Sequence, residues 1–466
     1  MQKLLVVTAI AWSLAGTREG VGSSVAAPID IQARVDAYLA PFVHDRNFSG
    51  TVLIARKGAV PVSKGYGMAN YELGVPNTAA TRFHIASVSK PFTAAAILIL
   101  QQEGRLKTTD PVSRFVDGFP GGDGITLEHL LTHTSGIPNV NDFPDYDQES
   151  RRPHTPADLI TLFKDRPRDF PPGDRYAYSN SNYNVLAYVI EKVSGQEYGT
   201  FLRESIFRPL GMDSTGHDGR AGALVPDRAA GYAPSGAREL ENAPYLDWSV
   251  KTGNGSLYST VADLYRFDRS LYGDALLSKE SRATMFAGGP GNRYGWFVRK
   301  RGERNVAAAN GRSPGFTASF ERFVDDDVCV IVLANTYATV SQDPIAGDLA
   351  AIAFDEERKP PAVTARAVDP AVLDGYAGSY TFGPDFFRPN ATVAIRREGD
   401  HLVMDWGRGY LSLLVPVAED EFLDRTFWAR VILRRDAHGA RTRGVYRSDK
   451  DYVMTMAKSP PGAKIP

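Results

Sequence analysis

Apolar and polar positions alternate with two different periods along this chain. Apolar residues at helical spacing predict a helix over residues 31–43. Two strand-like runs over 50–56 and 60–67, joined by a Lys57-Gly58 turn, predict a hairpin. An Ala- and Leu-rich run over 92–100 predicts a second helix that begins near residue 87, with Gly104 as its stop.

The middle of the chain mixes polar loops with further helices and strands. Residues 125–136 predict a helix with Thr126 as N-cap and Gly136 as its end. A later helix ends before Gly195, and another begins after an N-cap at Ser259 or Thr260. Strand patterns follow over 294–300, 306–309, 316–324 and 328–333.

The C-terminal quarter has a different pattern. Residues 356–370 are polar and carry prolines, which predicts a linker. Beyond it, short strands separated by Gly/Asp turns predict a small antiparallel barrel or sandwich over 371–466, in which we find no catalytic cluster. The predicted strands cover 378–382, 392–396, 401–405, 411–415, 431–434 and 444–447.

Composition narrows the function classes. The chain has 466 residues, of which 43% are apolar and 23% charged, as in ordinary globular proteins with a large core. The net charge of −1 argues against a polyanionic partner, and nothing indicates nucleic-acid binding.

The N-terminus resembles a secretory signal. Lys3 precedes an apolar run over 4–15, and small residues at 24–26 offer a cleavage site, so we predict a signal peptide over 1–26. An uncleaved N-terminal anchor is the alternative, although the run is short for a bilayer and no other stretch is long enough to span one. Cys329 is the single cysteine, so no internal disulfide can form. An exported protein without disulfides is typical of a bacterial periplasmic or secreted enzyme. Cys329 lies in an apolar strand pattern and is interpreted as a small buried hydrophobe.

The candidate chemistry begins with Ser87-Val88-Ser89-Lys90. This spacing places a hydroxyl and an amine one helical turn apart, at a helix N-terminus that favours a developing oxyanion. A serine hydroxyl needs an adjacent base to act as a nucleophile, and Lys90 is the nearest candidate. The pattern is short, however, and also fits an exposed Ser and Lys on a surface helix.

Two further polar groups have structural as well as functional interpretations. Tyr178-Ser179-Asn180 lies in a polar loop before a helix, where Ser181 or Asn182 would serve as a helix cap. His129 and His133 have the spacing of two helical zinc ligands. No third ligand is evident, so we interpret them as structural and predict neither a metal nor an organic cofactor.

These motifs occur in a specific order, with Gly311-Arg312-Ser313-Pro314-Gly315-Phe316 as the third. With the flanking segments 132–136, 208–212 and 257–264, the chain over about 32–355 resembles the serine β-lactamase-related hydrolases. That family includes class C β-lactamases, D-alanyl-D-alanine peptidases, D-aminopeptidases and esterases.

The resemblance implies both a fold and a domain organisation. The expected fold is α/β (α+β), with an antiparallel sheet flanked by helices and a helical subdomain. The hydrolase domain would span 27–355, followed by the linker 356–370. Residues 371–466 resemble the small lipocalin-like barrel that often follows this domain.

The resemblance also implies roles for particular residues. Ser87 would be the acylated nucleophile, with Lys90 and Tyr178 sharing the proton transfers. A nearby ammonium favours phenolate, so we expect Tyr178 to accept the Ser87 proton. Asn180 would hold Lys90 and contact the substrate. The backbone N–H groups of Ser87 and Arg312 would form the oxyanion hole, where one donor is worth about 3 kcal/mol of barrier. Asn310, Gly311 and Arg312 would form the substrate-binding strand.

One position departs from the family pattern. Ala309 stands where the family has Lys or His, and this puts β-lactamase and carboxypeptidase activity in doubt. Arg312 is the hypothetical replacement for the missing positive charge. Lys251-Thr252-Gly253 matches the missing motif in letters, but it precedes a loop and a helix, and we interpret it as a coincidence.

The sequence therefore predicts an exported serine hydrolase that acts on an ester or a D-amino-acid-containing amide. Its partner would be a small-molecule or peptide substrate, and its oligomeric state stays open. A β-lactamase or D-alanyl-D-alanine carboxypeptidase is the first alternative. A catalytically silent binding protein on the same fold is the second.

Overall fold

The computed structural model describes residues 30–220, 222–287, 291–337, 343–360, 365–386, 388–407, 411–435, 441–448 and 450–456. The predicted signal peptide over 1–26 lies outside these residues. The α-helices are α1 Ile31–His44, α2 Lys90–Gln102, α3 Leu127–Leu131, α4 Tyr146–Glu149, α5 Pro156–Thr161, α6 Asn180–Ser194, α7 Tyr198–Leu202, α8 Val261–Ser270, α9 Lys279–Phe286, α10 Asp343–Ala353 and α11 Pro370–Asp374.

The strands form one large sheet, three small ones and a barrel. In chain order they are β1 Gly50–Arg56, β2 Ala59–Tyr66, β3 Met68–Asn70, β4 Val75–Pro76, β5 Phe83–His84, β6 Gly216–His217, β7 Tyr232–Pro234, β8 Leu240–Asn242, β9 Leu257–Ser259, β10 Gly291–Arg293, β11 Trp296–Arg301, β12 Arg304–Ser313, β13 Phe316–Phe323, β14 Val328–Ala334, β15 Gly378–Phe382, β16 Thr392–Glu398, β17 His401–Asp405, β18 Leu411–Ala418, β19 Glu421–Asp424, β20 Ala429–Arg435, β21 Arg441–Arg447 and β22 Asp451–Met456.

The large sheet is antiparallel and has the order β10-β11-β12-β13-β14-β1-β2. Its central strands are buried on both faces. In β14, for example, Cys329 and Ile331 face one core and Val330 and Val332 face the other, as the two-residue period of a strand requires. Helices α1 and α10 cover one face, and the helical region that contains α2, α6 and α8 covers the other. The predicted antiparallel sheet flanked by helices is confirmed.

One predicted helix is too long. The helix expected over 125–136 forms only over Leu127–Leu131, after a capping box at Thr126. His133 has a φ of 57°, a left-handed conformation that a helix cannot contain, so the chain turns away before Gly136. The local apolar pattern did not reveal this, because the turn is held by contacts of His133 with a distant loop.

The C-terminal strands β15 to β22 close into an antiparallel barrel of eight strands. The six predicted strands are present, and the sequence missed β19 and β22. Closure between β15 and β22 leaves no sheet edge exposed. An aromatic cluster that includes Phe382, Phe386 and Trp406 fills the interior.

A buried arginine joins the barrel to the N-terminal part of the chain. Arg425 follows β19, and its guanidinium donates hydrogen bonds to Asn47 Oδ1 at 2.6 Å and to four backbone carbonyls outside the barrel. Nearby, the ring of Trp428 lies 5.5 Å from that of Phe42 in α1. This contact brings the turn between β19 and β20 close to the large sheet.

Within the part of the chain described here, none of the helices combines the length and the apolar character needed to cross a bilayer.

Candidate active site

Ser87 lies in a strained turn at the entrance of α2. A 3₁₀ turn over Ala86–Ser89 leads directly into the helix, whose first residue is Lys90. Ala86 has a φ of 45°, a left-handed conformation that is costly for a residue with a side chain and that is often found beside reactive groups. Pro91 occupies the first helical turn, where its missing N–H removes no helical bond. Ser87 is half-buried, and its side chain is directed toward Lys90.

The Lys90 ammonium nitrogen makes three close contacts. Lys90 Nζ lies 2.9 Å from Ser87 Oγ, 2.9 Å from Asn180 Oδ1 and 2.8 Å from the carbonyl oxygen of Asn254. The side chain is buried, and burial lowers its pKa well below the usual value, helped by the charge of Lys251. Burial therefore shifts Lys90 toward its neutral amine form.

The three contacts leave one orientation for a neutral Lys90. Both the Asn180 and the Asn254 oxygens are pure acceptors, so each takes one of the two N–H bonds of the amine. As an ammonium, Lys90 Nζ donates to Ser87 Oγ; after loss of one proton its lone pair would be available to that hydroxyl. This is the arrangement that a general base requires.

Tyr178 contacts the same oxygen from the other side. Its hydroxyl lies 2.8 Å from Ser87 Oγ, and its ring lies 4.9 Å from Lys90 Nζ. Burial raises the pKa of Tyr178, so the phenol form is favoured, contrary to the expected phenolate. The directions of the two pKa shifts favour a neutral amine at Lys90 and a neutral phenol at Tyr178.

His133 contacts the loop that carries Tyr178. Its Nδ1 accepts the backbone N–H of Ser179 at 3.1 Å, and its ring lies 4.6 Å from that of Tyr178. Burial lowers the pKa of His133 and favours the neutral imidazole. His129 instead caps α3 through Thr126.

Asn180 is the first residue of α6, and its amide has a defined orientation. Its Nδ2 donates to Asn141 Oδ1 at 2.9 Å, which directs Oδ1 toward Lys90. The interpretation of Ser181 or Asn182 as a helix cap is wrong, because both lie inside the helix. Ser181 bonds the Pro138–Val140 segment, and Asn182 accepts a hydrogen bond from Ser135.

Strand β12 passes directly beside the Ser87 turn. A Cβ atom on Gly311 would lie 2.2 Å from the Ile85 carbonyl oxygen and 3.0 Å from Ser87 N, so only glycine permits this approach. Asn310 lines the cavity in front of Ser87. Ala309 is buried in the core on the α2 side of the sheet.

Arg312 has a different environment from the expected one. Its guanidinium lies between the rings of Tyr337 and Phe427, at 4.1 and 4.2 Å, and donates to the carbonyl oxygen of Thr426 at 3.0 Å. These contacts hold the side chain against the barrel. The geometry does not support the hypothesis that Arg312 replaces the cation missing at Ala309.

A cavity of about 1040 Å³ opens in front of Ser87. The predicted residues Tyr178, Asn180, Asn310 and Arg312 all line it, together with Lys251. The barrel contributes four further lining residues, Phe427, Trp428, Tyr446 and Ser448. The wall of the candidate site is therefore built from both domains.

The sequence did not identify several of these groups. The backbone carbonyl of Asn254 carries no residue-specific pattern, and the barrel residues lie far away along the chain. Lys251 was noticed only through a motif that we interpreted as a coincidence. It lies in a 3₁₀ turn, Trp248–Lys251, and not on a strand, yet it reaches the cavity.

Comparison with known proteins agrees with this geometry. A match to the beta-lactamase family covers residues 35–354, more than half of the chain. Penicillin-binding protein 4* of Bacillus subtilis is 29% identical over 440 residues, which cover 88% of this chain and 95% of that protein. The putative penicillin-binding protein PbpX of the same organism is 36% identical over 258 residues, covering 55% of this chain and 63% of that protein.

Solved structures share the fold. A penicillin-binding protein homologue from Pyrococcus abyssi, described as octameric, has a TM-score of 0.63 at 24% identity and covers 91% of this chain and 100% of its own. A D-stereospecific amidohydrolase from Streptomyces sp. has a TM-score of 0.59 at 25% identity and covers 66% of this chain and 94% of its own. With the family match over 35–354, these similarities show that the chain belongs to the beta-lactamase family of serine hydrolases.

Proposed function

We propose that this protein hydrolyses an ester or a D-amino-acid-containing amide through an acyl-enzyme on Ser87. The observation that carries the proposal is the position of Ser87 Oγ, 2.9 Å from Lys90 Nζ and 2.8 Å from the Tyr178 hydroxyl. A hydroxyl between a neutral amine and a phenol has both a base and a proton relay within reach.

The proposed reaction has two halves. In acylation, Ser87 Oγ bonds to the substrate carbonyl carbon while its proton moves to Lys90 Nζ. The oxyanion would be held by the N–H groups of Ser87 and Arg312, and the bond to the leaving group breaks as Tyr178 delivers a proton that Lys90 replaces. In deacylation a water gives one proton to the same pair and its hydroxyl to the acyl carbon. The bond between the acyl carbon and Ser87 Oγ then breaks, and the proton held by the pair returns to Oγ, which restores Ser87 and releases the acid.

The substrate class follows from the site and from the relatives. The half-open cavity accepts more than a small acyl group, and Asn180 and Asn310 offer amide groups to it. A structurally similar protein is described as a D-stereospecific amidohydrolase. We therefore keep esters and D-amino-acid-containing amides as the proposed substrates.

Export and domain boundaries complete the proposal. We propose that residues 1–26 are removed and that the mature enzyme is periplasmic or secreted. The hydrolase domain is proposed to span 27–355 and the barrel domain 371–466, joined by 356–370. The family match, which ends at residue 354, and the first barrel strand, which begins at Gly378, support these boundaries. N-terminal sequencing of the protein recovered outside the cytoplasm tests the cleavage site.

The decisive experiment is labelling with a fluorophosphonate, read by intact mass. The wild type should gain one adduct, and Ser87→Ala should gain none. Absence of an adduct on folded wild-type protein would contradict the acyl-enzyme and would favour the silent binding protein.

The first alternative is a β-lactamase or D-alanyl-D-alanine carboxypeptidase. It is favoured by the relatives named as penicillin-binding proteins. Incubation with a penicillin separates the two. A lasting adduct on Ser87 supports the peptidase, rapid turnover of a chromogenic cephalosporin supports the β-lactamase, and turnover of short-chain esters alone supports our proposal.

A further inference from the structure

A second buried lysine faces the cavity beside Ser87. Lys251 is only 8% exposed, and its ammonium lies 5.4 Å from the ring centre of Tyr146. A Cβ atom built on Gly255 would lie 3.5 Å from both Lys251 Cβ and the Ala86 carbonyl carbon. Lys251 Cβ and the Ala86 carbonyl carbon are therefore at most 7 Å apart, twice 3.5 Å. The Ala86 carbonyl carbon is bonded to the backbone nitrogen of Ser87.

Lys251 lacks an acidic partner within the described part of the protein. No Asp or Glu side chain in those ranges forms an ion pair with it, and its Nζ makes no hydrogen bond there. Buried charges in proteins are normally paired, because removal from water is costly. A cation that borders a cavity and has no acidic partner among the described residues points to a counter-ion supplied by a ligand.

The other cations of the cavity wall are already engaged. Arg299 is paired with Glu321, and the Arg312 guanidinium is held by the barrel. None of the described lining residues is Asp or Glu. The cavity in front of Ser87 is therefore positive, and Lys251 is the cation best placed to meet an anion in it.

The turn that carries Lys251 is rigid. Asp247 Oδ1 accepts hydrogen bonds from the backbone N–H and the hydroxyl of Ser249, at 3.0 and 2.6 Å. The carbonyl oxygen of Lys251 accepts the backbone N–H groups of Asn254 and Gly255. The same turn presents the Asn254 carbonyl to Lys90, so Lys251 and the proposed base are positioned by one element.

We propose that Lys251 forms an anion subsite that binds a carboxylate of the substrate. The inference rests on the proposed function and narrows its substrate class to carboxylate-bearing esters or amides. The bound carboxylate would supply the counter-ion that the described residues do not offer to Lys251. It would also fix the substrate at a second point, a short distance from the carbonyl group that Ser87 attacks.

The test compares charged and neutral substrates of the same shape. One series carries the charge on the acyl side, as 4-nitrophenyl monoesters of glutarate and adipate, each against its carboxamide analogue. The other carries it on the leaving group, as acyl esters of 3-hydroxybenzoate against 3-hydroxybenzamide. The readout is the ratio of kcat/KM for the charged and the neutral member of a pair. That ratio cancels any effect of Lys251 on Lys90, because both members use the same base.

The expected result is a preference of the wild type for the charged member in one series. The ratio of kcat/KM for the charged and the neutral substrate should fall about 10- to 100-fold in Lys251→Met and be largely retained in Lys251→Arg. Lys192→Met, which removes an exposed charge in the last turn of α6, is the matched control and should keep the ratio. Thermal melting checks that the variants are folded.

The experiments distinguish failure of the anion subsite from failure of the proposed function. An unchanged ratio in Lys251→Met, in both series and with Ser87 labelling intact, would overturn the inference and leave the proposed function standing. If Ser87 is not labelled, calorimetric titration of glutarate into the wild type and Lys251→Met decides the matter without catalysis. Equal Kd values for the two proteins would overturn the anion subsite, and weaker binding to the variant would support it.

Discussion

Lys90 Nζ lies 2.9 Å from Asn180 Oδ1, and the Asn180 amide is oriented by Asn141. This contact occupies one N–H of the lysine with a neutral acceptor. A neutral acceptor at this position matters, because a carboxylate would stabilise the ammonium form and remove the lone pair that faces Ser87.

The pH dependence of the reaction should therefore report on Lys90. Since burial lowers its pKa, kcat/KM should rise with pH as Lys90 loses its proton and should level off above that lowered pKa. In Asn180→Asp the added carboxylate should raise the pKa of Lys90, so the acid limb moves to higher pH by about one unit or more. A rate profile between pH 5 and 10 measures this shift. An unmoved acid limb would show that another group controls it.

Removal of the Tyr178 hydroxyl should slow both halves of the reaction. The hydroxyl is the second contact of Ser87 Oγ, and burial raises its pKa, which favours the protonated phenol that the proposed relay needs. We expect Tyr178→Phe to lower kcat about 10²- to 10⁴-fold, the usual size of a general acid–base contribution. Steady-state kinetics with an ester measures the effect. Tyr245→Phe, which changes an exposed tyrosine, should match the wild type.

Gly311→Ala should disturb the contact between β12 and the Ser87 turn. The new methyl group would meet the Ile85 carbonyl oxygen at 2.2 Å, and backbone atoms would have to move. Overpacking of this kind costs about 1–3 kcal/mol of the free energy of unfolding. We expect a lower Tm and at least tenfold slower labelling of Ser87. Gly273→Ala, where a Cβ meets nothing within 4 Å, is the control that should change neither. Labelling at the wild-type rate in Gly311→Ala would argue against a close contact.

Arg425→Met should loosen the barrel. The variant removes a guanidinium that is 1% exposed and leaves buried carbonyl groups without donors, at about 1–3 kcal/mol for each unsatisfied group. We expect faster proteolysis within 356–370 and, because Phe427 and Trp428 line the cavity, a higher KM for bulky esters than for acetyl esters. Arg443→Met, an exposed change on the same barrel, should leave both unchanged. Equal proteolysis of the two variants would contradict the docking role of Arg425.

Elements with strong local patterns were predicted well. The helix over 31–43 is present as Ile31–His44, and the hairpin strands β1 and β2 lie within a residue of their predicted bounds. Thr260 caps α8, one of the two N-cap positions foreseen. In each case the spacing of buried residues or the chemistry of a helix cap depends on residues that are close together in the chain. Such features can be predicted from the sequence alone.

The candidate site was predicted in part. The spacing of Ser87 and Lys90 along one turn places their side chains together, and this required no tertiary information. The raised pKa of Tyr178 argues against the expected phenolate, and the sequence did not indicate it, because burial of both Tyr178 and Lys90 depends on residues packed around them from distant segments. The predicted length of the helix over 125–136 is wrong for a similar reason. His133 adopts a left-handed conformation that ends the helical course, and it bonds the distant Ser179.

The sequence alone determined the family, predicted the helices and strands that have strong local patterns, and supplied the candidate site residues, because local periodicity and ordered motifs are properties of the chain itself. Only the tertiary structure decided which partners each charged side chain contacts. Arg312 is held by Phe427 of the barrel, whereas Lys251 is left facing the cavity, although both are single cations in loop or strand-end segments. The physical reason is that the energy of a charge depends on its burial and its partners, and those are set by which segments the fold brings together.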